Sequence, residues 1–270
     1  MNLTVMVVLI CALLGALLGS FATVAVRRWP RGSTVTDPPR SRCPHCSVTL
    51  RWRDNVPIIS WLLLRGRCRA CGARYGSHYL IIESTMVVLF AAVGAVHAES
   101  WLLPTLLVVT WVLVVAAAID LEFSIIPNRL TLTAPLVIIP LVAIAAVVDS
   151  DPRMLVRSLL TGITIPVVML TLSEVFRLVR GQAGIGMGDI KLAVSIGLAV
   201  GALGGWHVVV FAYGSVISAV IVALSLMAVG RARMASRIPF GPYLALGAMV
   251  AIIFGDDLRQ SLGQWWYLAR

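Results

Sequence analysis

Two carboxylates and four thiols are the side chains of this sequence whose types and spacing could do chemistry. Asp120 closes an apolar run in Ala116-Ala-Ala-Ile-Asp120, and Asp189 follows spaced glycines in Gly184-Ile-Gly186-Met-Gly188-Asp189. Both stand at the edge of long uncharged segments. A carboxylate even partly inside a bilayer costs on the order of a few kcal/mol, so an ionisable residue there is a functional candidate by default. Two carboxyl groups close enough to share a proton could carry out aspartic proteolysis, one taking a proton from water while the other protonates the scissile carbonyl oxygen. Gly186 and Gly188 remove side-chain bulk and permit unusual backbone angles, so a substrate backbone could approach Asp189. The same positions serve a helix cap equally well, with Asp189 in a first turn and Asp120 beside Arg129 or Lys191. Residue type and spacing leave both readings open.

The thiols form two CxxC pairs, Cys43-Pro-His-Cys46 and Cys68-Arg-Ala-Cys71, with 21 residues between them. Two residues between cysteines allow a tight knuckle that aims both sulfurs at one ion, and two knuckles complete a closed tetrahedral site. The expected ion is a structural zinc. It would compensate for a segment of roughly 50 residues that is too small to build much core. Disulfides are the alternative, and a reducing compartment disfavours them. His45 lies inside a knuckle but is not needed once four cysteines ligate. Cys11, within the first apolar segment, reads as a small packing residue.

The elements that must position these groups are apolar helices. Hydrophobic residues make up 59% of the 270 and charged residues 13%, far from an ordinary soluble domain. Uncharged or nearly uncharged segments occur at about residues 3–26, 79–97, 102–119, 130–148, 155–176, 190–204, 206–229 and 239–254. The expected fold is an all-α polytopic membrane protein of about eight transmembrane helices, with a small cytosolic zinc-ribbon-like insert between helices 1 and 2. The run from Leu192 to Gly230 must be divided, and the break is expected near Gly204-Gly-Trp206; a seven-span version stays open. The first segment is long, has no basic region before it and is followed by Arg27 and Arg28, as expected for a retained span and not a cleaved signal. The expected organisation is a first helix at 1–26, a cytosolic loop domain at 27–78, a seven-helix membrane core at 79–256 and a short extracytoplasmic tail at 257–270.

The net charge of +10 raises the question of nucleic acid, but 11 of the 22 basic residues fall between Arg27 and Arg74, outside the apolar segments, and no reading module accompanies them. Basic side chains there suit lipid headgroups and the cytosolic face. Eight spans with the N-terminus outside put 18 basic residues on one side and four on the other, so both termini are expected to be extracytoplasmic. Asp120 and Asp189 then share the cytosolic side. A proton-coupled transporter would also use intramembrane carboxylates, though the chain shows no obvious internal duplication. A non-catalytic assembly factor that binds its partner through the cysteine loop is a third option.

The ordered set of motifs resembles the bacterial prepilin peptidases, the type IV leader peptidases. It runs from Gly19-Ser-Phe21 to Arg28-Trp-Pro30, through Cys43-Pro-His-Cys46 and Asp54-Asn-Val-Pro57 to Cys68. It continues with Ala118-Ile-Asp120-Leu121, Gly186-Met-Gly-Asp189 with Lys191, and Ile238-Pro-Phe-Gly-Pro242. The resemblance spans nearly the whole chain. It implies an aspartic endopeptidase of the bacterial inner membrane that removes the basic leader from prepilins and pseudopilins at the cytosolic face, without a catalytic metal. Asp120 and Asp189 match its catalytic pair, with Gly186, Gly188, Lys191 and Glu122 as support.

Members with the cysteine loop commonly also methylate the new N-terminal residue with S-adenosylmethionine. That implies a bifunctional enzyme, with Asp54, Asn55 and Glu83 as candidates for methylation or substrate positioning. No Gly-rich cofactor loop is present in residues 27–78. Thr23, Leu80, Glu122 and Asn128 depart from the family pattern, which has Asn, Pro, Asp and Asp there; none removes a member of the pair.

Overall fold

The long uncharged run divides at Gly204, whose φ of 131° and ψ of 166° separate two helices; a side chain rarely adopts that conformation. A computed structural model describes residues 2–36, 41–43, 45–181, 184–229 and 239–268, with side chains described only to 262. Arg40, Pro44, Arg231, Arg233, Arg237, Ile238 and Arg270 of the sequence reading lie outside the described residues. The helices are α1 (Leu3–Arg28), α2 (Ile59–Leu63), α3 (His78–Val96), α4 (Leu103–Phe123), α5 (Asn128–Val148), α6 (Pro152–Arg180), α7 (Met187–Leu203), α8 (Gly205–Ala228) and α9 (Gly241–Leu268). Among the described residues there is no strand, only two isolated bridges, Arg42 with Thr49 and Arg67 with Arg74.

The chain falls into two compact units, Met1–Glu99 and Ser100–Arg270. In the first, α1 packs along α3 through small residues. A Cβ on Gly15 would sit 2.8 Å from the Met86 carbonyl oxygen, and one on Gly19 would sit 3.1 Å from Glu83 Cα. Without a hydrophobic drive between helices in lipid, such close backbone approach is what dispersion can use. Cys11 is buried against Gly94, as expected of a packing residue. On the other side of α1, Leu9, Leu13 and Leu17 are exposed at helical spacing, the stripe that faces lipid.

The second unit is built around α7, of whose 17 residues 12 are buried. It contacts α4, α5, α6, α8 and α9, which explains why it carries no charge after Lys191. Among the described residues seven helices, α1, α3, α4, α5, α6, α8 and α9, are long and apolar enough to cross a membrane. The eighth long helix, α7, is shorter and enclosed by its neighbours. Outward-facing Leu136 and Val147 are each more than 70% exposed, a surface that only a bilayer solvates at acceptable cost. The protein is a multi-pass membrane protein.

Two helices run further than their apolar segments. The α6 helix continues to Arg180, supported by an Arg177–Glu174 ion pair, and α9 continues to Leu268, so the tail expected from 257 extends that helix.

A tight seam lies between α6 and α7. Ser158 donates to the Leu198 carbonyl at 2.7 Å and Thr161 to the Gly197 carbonyl at 2.7 Å. A Cβ on Gly197 would come 2.5 Å from the Thr161 carbonyl oxygen, and backbone cannot move aside as a flexible side chain can. Gly197→Ala is therefore expected to force the helices apart and cost about 1–3 kcal/mol. Thermal unfolding in detergent measures it. Gly205→Ala, where a Cβ meets nothing within 4 Å, is the control and should melt no lower than the parent.

Candidate active site

Asp120 and Asp189 come from different helices of the second unit and converge. Asp120 lies one turn before the C-terminus of α4 and is 5% exposed; Asp189 lies in the first turn of α7 and is 8% exposed. Their charges are close enough to act on one another. Ile126, in the connection from α4 to α5, sits beside both. Its Cβ is 3.0 Å from where a Gly188 Cβ would be, and its Cδ1 is 3.2 Å from the corresponding position at Gly241.

Three glycines surround the two carboxylates with bare backbone. A Cβ on Gly186 would come 2.9 Å from Asp189 Oδ2, and one on Gly241 would come 2.8 Å from Asp120 Oδ2. Of the two properties expected of Gly186 and Gly188, only the absence of bulk is used. Gly186 has an ordinary extended conformation, and neither glycine has a positive φ.

The first residue of α9 supplies a contact that sequence reasoning did not assign. The Gly241 N–H donates to Asp120 Oδ2 at 3.0 Å, which uses one of the unpaired donors at a helix N-terminus. The Gly-Pro pair at 241–242 is its only sequence trace.

The capping alternative accounts for part of this arrangement. Asp189 is three residues after the N-cap Gly186, the position from which an acid reaches back toward the cap. Its Oδ1, however, is buried with no hydrogen-bond partner, and a cap leaves no reason to bury that oxygen. Lys191, which the capping reading pairs with Asp120, instead donates to Asn128 Oδ1 at 2.8 Å at the start of α5. Glu122 is exposed near the end of α4.

In the first unit the four cysteines meet. Their sulfurs all lie within 4.8 Å of one another, with Cys43 and Cys71 3.8 Å apart and Cys46 and Cys68 4.0 Å apart. Four sulfurs at about 2.3 Å from a tetrahedral ion would be separated by about 3.8 Å, so the set is positioned to bind a metal ion.

The two knuckles repeat each other residue for residue. Cys43 N–H donates to the Val48 carbonyl and Cys68 N–H to the Ala73 carbonyl; the carbonyls of Cys43 and Cys68 accept from Ser47 and Gly72. Ser47 and Gly72 share a positive φ, 56° and 70°. Backbone N–H groups aimed at sulfur favour thiolate: the Cys71 N–H is the main cause that brings Cys68 down to about 6. His45 is exposed and outside the cluster.

A cavity of about 250 Å³ in the same unit brings together the three remaining candidates, Asp54, Asn55 and Glu83, with Arg27, Trp61 and Tyr79. Asp54 pairs with Arg69 at 2.9 Å, and the Arg27 guanidinium lies 5.0 Å over the Tyr79 ring. Glu83 is buried and accepts from the Ile58 N–H at 2.7 Å. Ile58 has φ 62° and ψ −53°, with the Ile59 N–H donating back to the Pro57 carbonyl. This is a γ-turn of the rarer, strained hand, which a β-branched residue adopts only when held. Glu83 supplies that hold. Trp61 lines the cavity with its ring, while its Nε1 is buried without a partner.

These features define a polytopic membrane protein with a buried carboxylate pair and a four-cysteine insert. The profile of the Bacterial Peptidase A24 N-terminal domain matches residues 13–97, and that of the Type IV leader peptidase family matches residues 107–225. The chain is 33% identical to a prepilin leader peptidase/N-methyltransferase of Stutzerimonas stutzeri over 93% of this chain and 92% of the relative. Proteins of the same description are 34% identical in Aeromonas hydrophila, covering 85% of this chain and 75% of the relative, and 29% identical in Pseudomonas aeruginosa, covering 94% and 92%. The chain belongs to the type IV leader peptidase family. No solved structure matches it.

Proposed function

We propose that this protein cleaves the basic leader from prepilins and pseudopilins at the cytosolic face of the bacterial inner membrane, with Asp120 and Asp189 as the catalytic pair. The observation that carries the reading is the convergence of two buried carboxylates among three bare glycine backbones, with one Asp189 oxygen unpartnered. One carboxylate takes a proton from water as the hydroxide attacks the scissile carbonyl, and the other carboxyl group gives a proton to the carbonyl oxygen. Collapse of that intermediate breaks the C–N bond, and the proton first taken from water goes to the leaving amine. Gly186, Gly188 and Gly241 leave the backbone approach open, and Lys191 and Asn128 join the starts of α7 and α5 beside it. Family membership favours this reading over a transporter or a non-catalytic assembly factor. The basic-residue distribution supports a cytosolic insert and extracytoplasmic termini.

The four cysteines hold a structural zinc in this reading, which follows from an all-sulfur tetrahedral donor set with no open position. The second half-reaction is methylation of the new N-terminus. S-adenosylmethionine supplies the methyl group from its sulfonium when bound. The cavity fits such a group chemically: Glu83 and Asp54 would offer negative charge to its cationic centres, Arg27 would suit its carboxylate, and Trp61 and Tyr79 would offer ring surface.

The test is purified protein mixed with a prepilin and S-adenosylmethionine, followed by mass spectrometry. The expected product has lost its leader and gained one methyl group. Glu83→Gln, which keeps an acceptor for Ile58 but loses the charge, should lower methyl incorporation about tenfold. It should leave leader cleavage within about twofold of the parent. Equal loss of both activities would contradict this assignment, and an uncut prepilin would contradict the function itself.

A further inference from the structure

The segment that leads into Asp189 is held by one hydroxyl. Ser173, on α6 and 3% exposed, places its Oγ 3.2 Å from both the Ile185 nitrogen and the Ile185 carbonyl oxygen. A hydroxyl has one donor and two acceptor sites, so Ser173 can accept from that N–H and donate to that carbonyl at once. Ile185 directly precedes the N-cap Gly186, and its backbone groups belong to no helix or strand ladder. One turn along α6, Phe176 closes on the same segment: a Cβ on Gly184 would come 3.0 Å from its Cδ1. Ser173 and Phe176 thus grip residues 184–185 from one helix face.

The consequence reaches Asp189 because its carboxyl group is tied to this same backbone. It accepts from the Gly186 N–H, while its Oδ1 is buried without a partner. Where the carboxyl group lies relative to Asp120 is therefore set by the backbone of Gly186–Asp189. That backbone is fixed on one side by Ile126 against Gly188 and on the other by Ser173 against Ile185.

We propose that Ser173 is a positioning residue for leader cleavage: its buried hydroxyl clamps both backbone groups of Ile185 and so sets the Asp189 carboxyl group in register with Asp120. This rests on the assignment of Asp120 and Asp189 as the catalytic pair. Ser173 touches neither water nor peptide in the reaction, so it acts only through Asp189. A misplacement of about 1 Å at a reacting group costs about 10²-fold in rate.

The experiment is steady-state leader cleavage by the full-length protein in detergent. Ser173→Ala is expected to lower kcat by about 10- to 100-fold with KM within about twofold of the parent, because the substitution misplaces a reacting group without itself removing a group that touches substrate. A second pair keeps the outcome readable should the alanine variant not fold. Ser173→Thr and Ser173→Val have nearly the same volume and differ in the hydroxyl. The threonine protein should retain most of the parent kcat and the valine protein should lose it, with melting temperatures alike.

Parent kcat in the alanine or valine protein would overturn the proposal, as would a loss expressed in KM or an equal loss in the threonine and valine proteins. Asp189→Asn is run alongside. If that variant cleaves normally, the catalytic-pair reading has failed. If it is inactive while Ser173→Val is normal, only the positioning role has failed.

Discussion

Asp120→Asn and Asp189→Asn are each expected to abolish leader cleavage, with kcat falling by on the order of 10³-fold or more while the protein still folds and inserts. The amide is nearly isosteric with the carboxyl group. At position 120 it can still accept from the Gly241 N–H, so the N-terminus of α9 stays docked. What is lost is the ability to hold and release a proton. Folding has little to lose at position 189, where Oδ1 makes no hydrogen bond in the first place. A capping residue behaves differently: removing a cap costs about 0.5–2 kcal/mol of stability and leaves chemistry untouched. Melting temperature and cleavage rate, measured on the same samples, therefore separate the two roles that the sequence left open.

The second large effect concerns the insert. Purified protein is expected to carry one equivalent of zinc, and Cys43→Ser with Cys46→Ser is expected to remove it. A structural zinc contributes about 10–16 kcal/mol of binding free energy that is also folding free energy. Beyond the two bridges and the short 3₁₀ and helical turns, the described residues of the insert have no regular secondary structure to hold the knuckles. Without the ion, the crowded sulfurs also oppose closure. The Ala73 N–H favours the Cys71 thiolate, but the crowding of the neighbouring sulfurs outweighs it and pushes Cys71 up to about 11. Limited proteolysis should then cut within residues 41–76, where the parent resists. The eight long helices should persist and leader cleavage should survive in part, since Asp120 and Asp189 belong to the second unit. Metal-free protein with an intact, protease-resistant insert would contradict the metal assignment. Elemental analysis gives the stoichiometry.

The helices were legible because a membrane span is a one-dimensional signal: length without charge. Gly204 was readable as the break in the longest run for the same reason, since only glycine suits the backbone that the corner requires. The ends of α6 and α9 were not. Apolarity stops at the membrane surface, but helical hydrogen bonding does not. Glu174, Arg177 and Arg180 continue α6 with their own ion pair after the lipid-facing stripe has ended. The cysteine cluster was legible in its spacing, although the repetition of one knuckle by the other, down to the positive φ at Ser47 and Gly72, emerges only in the fold.

Asp120 and Asp189 were visible as carboxylates out of place. The groups that hold them were not, because each acts across a gap in sequence: Gly241 on Asp120 over 121 residues, Ile126 against Gly188, and Ser173 on Ile185. A serine in a helix and an isoleucine in a turn carry no chemical signal of their own. The gathering of Asp54, Asn55 and Glu83 into one cavity was carried by the family resemblance and not by their spacing.

Single-turnover cleavage of a prepilin by the parent, Asp120→Asn, Asp189→Asn and the double variant tests the central claim most directly. Groups that act as a unit are strongly non-additive. Each single variant is therefore expected to be as inactive as the double variant, with no further loss on combining them. Substantial cleavage by either single variant, or losses that multiply in the double variant, would contradict a shared catalytic pair.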